Sequence, residues 1–284
     1  MSSKNVVQHA LGAGRWFPAR PDELRKDVEG YIAAAQVPAI TQRLLGGIAP
    51  HAGYQYSGPI AGYTFRALRD NAAAYGSPQI AVILGFGHRA SFEGVALIDG
   101  DAFETPLGQT PLDREAREAL CAAGDRIFVD TRPHIGEHSA ENQIPFVQTA
   151  LPDARLVVAL LGDHEPVTIL KLADGLAALA RRQRIVVIAS TDLLHDPDYD
   201  AVRASDAITL DRIAELDAAG LARAWSPDRQ VCCGIAPVLA MLRFASQMGC
   251  RTGLRLYARN SGDDFPESRG EWVVGYGAVV FPAA

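Results

Sequence analysis

Four histidines directly follow, or lie a few residues beyond, apolar runs typical of β-strands. They are His51, His88, His138 and His195. In an open α/β sheet, ligands bind outside the carboxyl ends of the strands. Imidazole is the commonest metal ligand and the usual general base near neutral pH. Histidines that meet at one sheet edge therefore predict a single site for a metal or for acid–base chemistry.

His51 and His88 share one arrangement. Each follows a short apolar run, Leu44–Ala49 or Ile80–Gly85, and each has glycines beside it. For one such histidine alone, a turn that merely caps a chain end stays open as an explanation. Two histidines at the ends of neighbouring strands favour a metal site, because catalytic groups collect on the loops that follow strands. Tyr54, just after His51, either hydrogen-bonds a ligand or packs in the core.

His138 and Glu141 are three residues apart, which places them on one face if the segment is helical. Glu141 could then orient a metal-bound imidazole. Ser139 could equally cap the helix that follows, so a plain helix start remains an alternative.

Asp192 and His195 follow another apolar run at a spacing that lets one turn bring both into a crevice. A carboxylate beside an imidazole raises its pKa and sets its tautomer, which suits a general base. The alternative is that Asp192 caps a turn and that His195 lies on the surface.

Cys232 and Cys233 are adjacent, and neighbouring cysteines rarely bridge each other without strain. Cys233 precedes an apolar helix, whose N-terminus favours the metal-binding thiolate and predicts a lowered pKa. The alternative is a small buried apolar side chain.

Apolar, β-branched runs alternate with amphipathic stretches, which predicts one α/β sandwich domain over residues 1–284, with a central mixed sheet between helices. The predicted strands are Leu44–Ala49, Ile80–Gly85, Arg155–Leu161, Arg184–Ala189, Thr252–Arg259 and Glu271–Phe281, the last two as an antiparallel pair. The predicted helices are Pro21–Ala35, Ile60–Asp70, Arg114–Ala123, Ala140–Ala150, Val167–Arg181, Ser205–Leu216 and Ile235–Met248. The remaining histidines, His9, His134 and His164, are predicted to lie on the surface.

Composition limits the classes of partner. Of 284 residues, 48% are hydrophobic and 21% are charged, and the formal net charge is −6. That balance fits a globular protein and argues against nucleic-acid or anionic-membrane partners, which require surplus Lys and Arg. The first residues lack a secretory pattern. The four cysteines show no CxxC spacing, so we expect reduced thiols in a cytoplasmic protein.

Taken together, the motifs resemble those of the Memo family, whose bacterial and archaeal members are called AmmeMemoRadiSam system protein B. The matching segments occur in the family's order and span essentially the whole chain. They are Pro50-His51-Ala-Gly-Tyr, Gly85-x-x-His88, Glu137-His138-Ser-x-Glu141, Ser190-Thr-Asp192-x-x-His195 and Cys233-Gly234.

The resemblance implies a fold similar to class III extradiol dioxygenases, which are non-haem iron enzymes. It also implies that His51, His88 and Cys233 are metal ligands, with His195 beside Asp192 in the same pocket. His138, Glu141 and Tyr54 are then expected to line that pocket. The resemblance implies iron (Fe²⁺) or copper as the metal, and the thiolate of Cys233 adds zinc as an alternative. Implied partners are a radical-SAM protein, an AMMECR-type protein and a peptide or small-molecule ligand.

The resulting prediction is a metal-dependent, dioxygenase-like oxidoreductase of unknown substrate, with His195 and Asp192 as its catalytic pair. Extradiol cleavage uses two histidines and a carboxylate, whereas here the softer thiolate of Cys233 replaces that carboxylate and shifts preference toward copper or zinc. Two alternatives stay open. One is a non-catalytic binding or scaffold module that uses the same pocket, and the other is a hydrolase with metal-bound water.

Overall fold

The computed structural model describes residues 5–284. The strands are β1 (Val7–His9), β2 (Leu44–Ala49), β3 (Ile80–Phe86), β4 (Val95–Leu97), β5 (Ala102–Thr105), β6 (Gly108–Pro111), β7 (Ile127–Val129), β8 (Arg155–Leu161), β9 (Ile185–Ser190), β10 (His195–Asp196), β11 (Leu254–Asn260) and β12 (Val273–Pro282). The α-helices are α1 (Pro21–Ala34), α2 (Tyr54–Tyr75), α3 (Arg114–Cys121), α4 (Ile144–Ala150), α5 (Pro166–Ala180), α6 (Tyr199–Ala214), α7 (Ala218–Ala224), α8 (Ile235–Gln247) and α9 (Ser261–Asp264). Short 3₁₀ turns lie at Arg132–His134, Glu141–Gln143 and Pro266–Ser268.

Within these residues, one nine-stranded sheet has the order β10-β12-β2-β9-β3-β8-β4-β7, and β11 pairs with β12. The four central strands, β2, β9, β3 and β8, run parallel. Strands β12 and β4 pair antiparallel on either side of them. A smaller three-stranded sheet has the order β1-β5-β6. The predicted mixed α/β architecture is therefore confirmed, and the carboxyl ends of β2, β9 and β3 meet at one edge.

The central strands are buried along almost their whole length, as expected for parallel strands covered by helices on both faces. In β3, Ile80, Val82 and Leu84 pack in the cluster that contains α5 and α8. The alternate residues Ala81 and Ile83 pack on the other face, with α1, α2 and α4. This period of two is what a sheet between two helical layers requires.

The central strands and most helices lie within a few residues of their predicted positions, and β11 and β12 form the predicted antiparallel pair. The largest errors in helix bounds are at α2, which begins at Tyr54 rather than Ile60, and at α6, which begins at Tyr199 rather than Ser205. Glycine and proline usually disfavour a helix, and Gly58 and Pro59 therefore obscure the start of α2 in the sequence. Pro59 is tolerated because it lies in an early turn of α2 and removes only one backbone N–H donor. The short strands β1, β4–β7 and β10 were not predicted, because segments of two to four residues carry little periodicity.

The surface prediction for His134 is wrong. Its Nε2 lies 3.0 Å from the carbonyl oxygen of Ala96, and burial lowers its pKa to about 4. None of the helices formed by residues 5–284 is both long and apolar enough to cross a bilayer.

Candidate metal centre and adjoining pocket

The candidate site lies at the carboxyl ends of β2, β3 and β9. Ala49 and Ser190 are paired in register where β2 and β9 end, so the segments that follow leave the sheet side by side. His51, His88 and Cys233 each offer one ligand atom, and these atoms lie within 4.8 Å of one another. The structure therefore brings together the three residues predicted as metal ligands, from three separate stretches of the chain.

Two glycines allow this convergence. A Cβ on Gly85, near the end of β3, would lie 2.6 Å from Ser139 Oγ. A Cβ on Gly234 would lie 2.4 Å from the carbonyl oxygen of Ser190. A side chain at Gly85 would push away the segment that carries His138, and one at Gly234 would push Cys233 from the end of β9.

The orientation of the buried His51 ring follows from its hydrogen bonds. Ser190 Oγ donates to the carbonyl oxygen of Ser139, so it can only accept from His51 Nδ1, 3.0 Å away. His51 Nδ1 therefore carries the proton and Nε2 carries a lone pair. That Nε2 lies 3.2 Å from Cys233 Sγ. Burial lowers the pKa of His51 to about 3, which keeps the ring neutral and able to bind a metal.

Glu137 organises the second histidine. Its carboxylate accepts hydrogen bonds from the backbone N–H groups of His88, His138 and Ser139. It also accepts from His88 Nδ1, at 3.1 Å, so His88 Nε2 is left to face the other ligands. Burial opposes the charge on His88, but Cys233 and Glu137 outweigh it and raise its pKa to about 10. Burial likewise opposes ionisation of Glu137, but its donors hold its pKa well below the usual range.

Cys233 lies between β9 and α8. Its backbone N–H donates to the carbonyl oxygen of Asp192, and the Asp192 N–H donates to Cys233 Sγ at 3.3 Å. The predicted lowering of its pKa is wrong, since burial raises the pKa of the Cys233 thiol. Burial also raises that of Cys232, to about 12. Desolvation outweighs the helix N-terminus here, so a metal would have to displace the thiol proton.

His138 lies outside the group formed by His51, His88 and Cys233, but together with His88 and Glu137 it forms a second group that could hold a metal ion. Its ring centroid is 5.3 Å from that of His51 and 5.2 Å from that of His88. One face stacks on Trp16 at 3.9 Å, and Nδ1 lies 3.3 Å from Glu137. Glu141 instead turns toward the N-terminal segment, where it accepts from the N–H groups of Leu11 and Gly12. Burial raises the pKa of Glu141.

Asp192 and His195 both line the same pocket. Asp192 Oδ1 accepts from the backbone N–H groups of His51 and Ala52. Within residues 5–284, no hydrogen bond joins Asp192 to His195, and the buried His195 Nε2 has no partner. Burial lowers the pKa of His195, against the raising effect of Asp192 that the sequence predicts. The ring is therefore neutral at physiological pH and able to accept a proton.

A pocket of about 840 Å³ opens beside these residues. Its walls include Tyr54 and His138, as predicted, together with aromatic residues from distant parts of the chain. A second pocket, of about 720 Å³, is lined in part by Cys233 and shares His195 and Trp272 with the first. Glu141 lines neither pocket and borders a cavity of about 50 Å³.

Sequence reasoning did not single out Glu137, Ser190 or Trp16 as site residues. Glu137 carried a usable signal, because it stands directly before His138 and a carboxylate next to a histidine can orient a metal-bound ring. Trp16 carried none, since it is more than a hundred residues from the ring on which it stacks. Only the tertiary structure reveals that contact.

Comparison with known proteins identifies the family. The model of the Memo-like protein family matches residues 8–280. A MEMO1 family protein of Methanopyrus kandleri is 33% identical over 282 residues, covering 95% of this chain and 96% of its own. One from Pyrobaculum aerophilum is 31% identical over 283 residues, covering 97% and 99%. The chain belongs to the Memo family.

A further Memo relative, from Methanothermobacter thermautotrophicus, is 32% identical over 266 residues and covers 91% of this chain and 95% of its own. The residues matched by the family model, 8–280, include every segment that contributes to the site. The family predicted from five separated motifs is thus confirmed.

Proposed function

We propose that this Memo-family chain is a metal-dependent oxidoreductase with a mononuclear centre on His51, His88 and Cys233. The observation that carries the proposal is that both histidines have Nδ1 hydrogen-bonded, to Ser190 and Glu137, which directs both Nε2 atoms toward the third ligand. Metal-binding histidines almost always have the other ring nitrogen held in this way.

The donor set fits a transition metal. For metal–nitrogen and metal–sulfur bonds of about 2.1 and 2.3 Å, donors at tetrahedral or right angles lie roughly 3.1–3.6 Å apart. His51 Nε2 and Cys233 Sγ are 3.2 Å apart. We propose iron (Fe²⁺), on the family resemblance, with copper or zinc as the alternatives that a thiolate favours. A bound metal of this kind would supply Lewis-acid or redox chemistry to a ligand in the adjoining pocket.

The remaining residues have separable roles in this proposal. Glu137 holds the rings of His88 and His138. His195, whose ring lines the pocket and whose lowered pKa favours the neutral form, is the proposed acceptor of a proton from a bound ligand. Asp192 fixes the backbone of His51 and lines the pocket in which the ligand would bind. We also propose a cytoplasmic location, on the cysteine pattern, and association with radical-SAM and AMMECR-type partners, on the family resemblance.

Metal analysis of anaerobically purified protein tests the proposal. The parent is expected to hold about one metal per chain, and His51→Ala and Cys233→Ala to hold almost none, since three ligands define the site. His9→Ala and Cys121→Ala are matched controls, because both residues lie outside the ligand group. Equal metal content in the parent and in the two ligand variants would show that the assignment is wrong.

The pocket also favours a second candidate, a non-catalytic binding module, because its volume accommodates a ligand without help from a metal. Tight ligand binding by metal-free His88→Ala protein, with no turnover by the metal-loaded parent, would favour that function. Zinc in the site, together with ester or amide turnover, would favour the hydrolase alternative.

A further inference from the structure

The charges that line the large pocket are unbalanced. Its ionisable acidic residues are Asp27, Asp192, Glu267 and Glu271, while Arg15 is its one Lys or Arg. Arg15 lies over the ring of Trp16, with its guanidinium carbon 5.3 Å from the ring centroid. The lining therefore carries four carboxylates against one guanidinium, and the net charge around the pocket is negative.

The buried carboxylate of Asp192 has one oxygen that accepts no hydrogen bond within residues 5–284. Asp192 is 4% exposed, yet it lines the pocket. Oδ1 accepts both backbone hydrogen bonds, from His51 and Ala52. Within residues 5–284, Oδ2 receives no hydrogen bond, although it is not sealed from the pocket. Asp192 therefore presents an acceptor oxygen to the pocket, where an N–H group of a ligand can donate to it.

Aromatic rings form much of the surrounding wall. The rings of Tyr56 and Phe265 meet edge to face, with their centroids 5.0 Å apart. The ring centroid of Trp272 lies 5.9 Å from that of His195. Trp272 is 58% exposed, so a large aromatic surface stays open at the rim. Aromatic faces attract cations through the ring quadrupole, most strongly when water is excluded.

The phenols of the wall respond to the same negative field. Burial and Asp27 both raise the pKa of Tyr31. Burial raises the pKa of Tyr276 too, and Asp192 adds to it. At both positions a neighbouring carboxylate thus adds to burial in disfavouring a phenolate.

We infer that this pocket binds a small organic cation, an amine or quaternary ammonium with an apolar body, and rejects phosphates and carboxylates. The ammonium group would lie at Asp192 Oδ2, with the apolar part against the aromatic wall and Glu267 and Glu271 at the entrance. As a statement about the substrate, this inference rests on the proposed function, because the cation would bind beside the proposed metal centre. The binding itself requires only the pocket.

Four probes of similar size test the inference: phenethylamine, 2-phenylethanol, 3-phenylpropionate and phenyl phosphate. Binding is measured by calorimetry at pH 7.5 on full-length protein stripped of metal, so that the amine has no metal to coordinate. We expect phenethylamine to bind at least about tenfold tighter than the alcohol, and both anions to bind more weakly still. Its affinity should fall with added salt. Equal binding of amine and alcohol, or tighter binding of either anion, would overturn the inference.

Variants locate the cation. Asp192→Asn keeps an oxygen for the His51 and Ala52 donors, so we expect amine affinity to fall about tenfold and alcohol affinity to change less than about twofold. If that variant does not fold, the double variant Glu267→Gln/Glu271→Gln is expected to weaken amine binding about two- to fivefold and to reduce its salt dependence.

The matched control is Glu118→Gln/Asp153→Asn, which removes the same charge from exposed positions outside the pocket lining. We expect it to bind the amine as the parent does. An equal loss of affinity in both double variants would refute a local carboxylate site. Absence of metal from the parent would refute the proposed function alone, because amine binding is measured without metal.

Discussion

Glu137 and Asp206 are carboxylates that the fold buries in two different regions, to 4% and 7% exposure. Glu137 lies at the site and accepts from three backbone N–H groups and a histidine ring. Asp206, on α6, accepts from the N–H of Leu194. Burial pushes both pKa values upward, yet that of Glu137 is held low while that of Asp206 rises to about 7. The supply of donors, rather than burial, therefore decides which carboxylate stays charged.

The largest expected effect is at Asp206. Its folded-state pKa lies above its unfolded value of 3.8, so the folded protein holds a proton that the unfolded chain releases. The stability of the parent relative to Asp206→Asn should therefore fall as pH rises from about 4 to about 7. The rise of the Asp206 pKa from 3.8 to about 7 corresponds to a change of up to about 4 kcal/mol in unfolding free energy. Urea unfolding of both proteins at pH 4 and pH 8 measures the difference.

Asp153→Asn is the control for that experiment, because Asp153 is exposed. We expect its unfolding free energy to track that of the parent across the same pH range. If the gap between Asp206→Asn and the parent is constant with pH, Asp206 is not protonated in the folded protein.

Glu137→Gln tests the opposite case, a buried carboxylate that stays charged in the folded protein. The introduced amide would place N–H donors against backbone N–H groups that now donate to Glu137. The substitution would therefore weaken the hydrogen bonds that hold His88. Metal affinity is expected to fall about 10–100-fold, the usual cost of losing a carboxylate that orients a ligating histidine. Competition with a chelator measures this affinity, with Glu118→Gln as control. Unchanged affinity would mean that Glu137 does not support the centre.

The pH dependence of stability provides a second measurement on metal-free Glu137→Gln. Because the folded-state pKa of Glu137 is depressed, its stabilising contribution is present above about pH 4.5 and is lost as pH falls below that value. The stability deficit of the variant should therefore shrink between pH 7 and pH 3. A deficit that grows on acidification would reverse the assigned direction of the shift.

Glu141 is the intermediate case, with two backbone donors, and gives the smallest expected effect. Burial raises its pKa despite the N–H groups of Leu11 and Gly12. Glu141→Gln loses charged hydrogen bonds but relieves a buried charge, so we expect a change below about 1 kcal/mol in unfolding free energy at pH 7. Metal content should stay at the parent level. A loss as large as that in Glu137→Gln would mean that donor number does not separate these carboxylates.

Much of the site could be predicted because it follows strand ends. His51 and His88 stand just beyond β2 and β3, and apolar runs of that kind mark buried parallel strands in the sequence alone. The protonation states were harder to predict. The pKa shifts of His195 and Cys233 run against prediction, because a local motif indicates the neighbouring charge or helix end but not the depth of burial.

The sequence by itself determined the family, the mixed α/β architecture and the central parallel strands, because each depends on local pattern or ordered motifs. Only the tertiary structure decided which ring nitrogens are free, which carboxylate supports His88 and which aromatic faces His138. Those outcomes depend on contacts such as Trp16 with His138, and Ser190 with His51, between segments far apart in the chain. Local sequence does not encode such distances, and the hydrogen bonds and desolvation that set the chemistry depend on them.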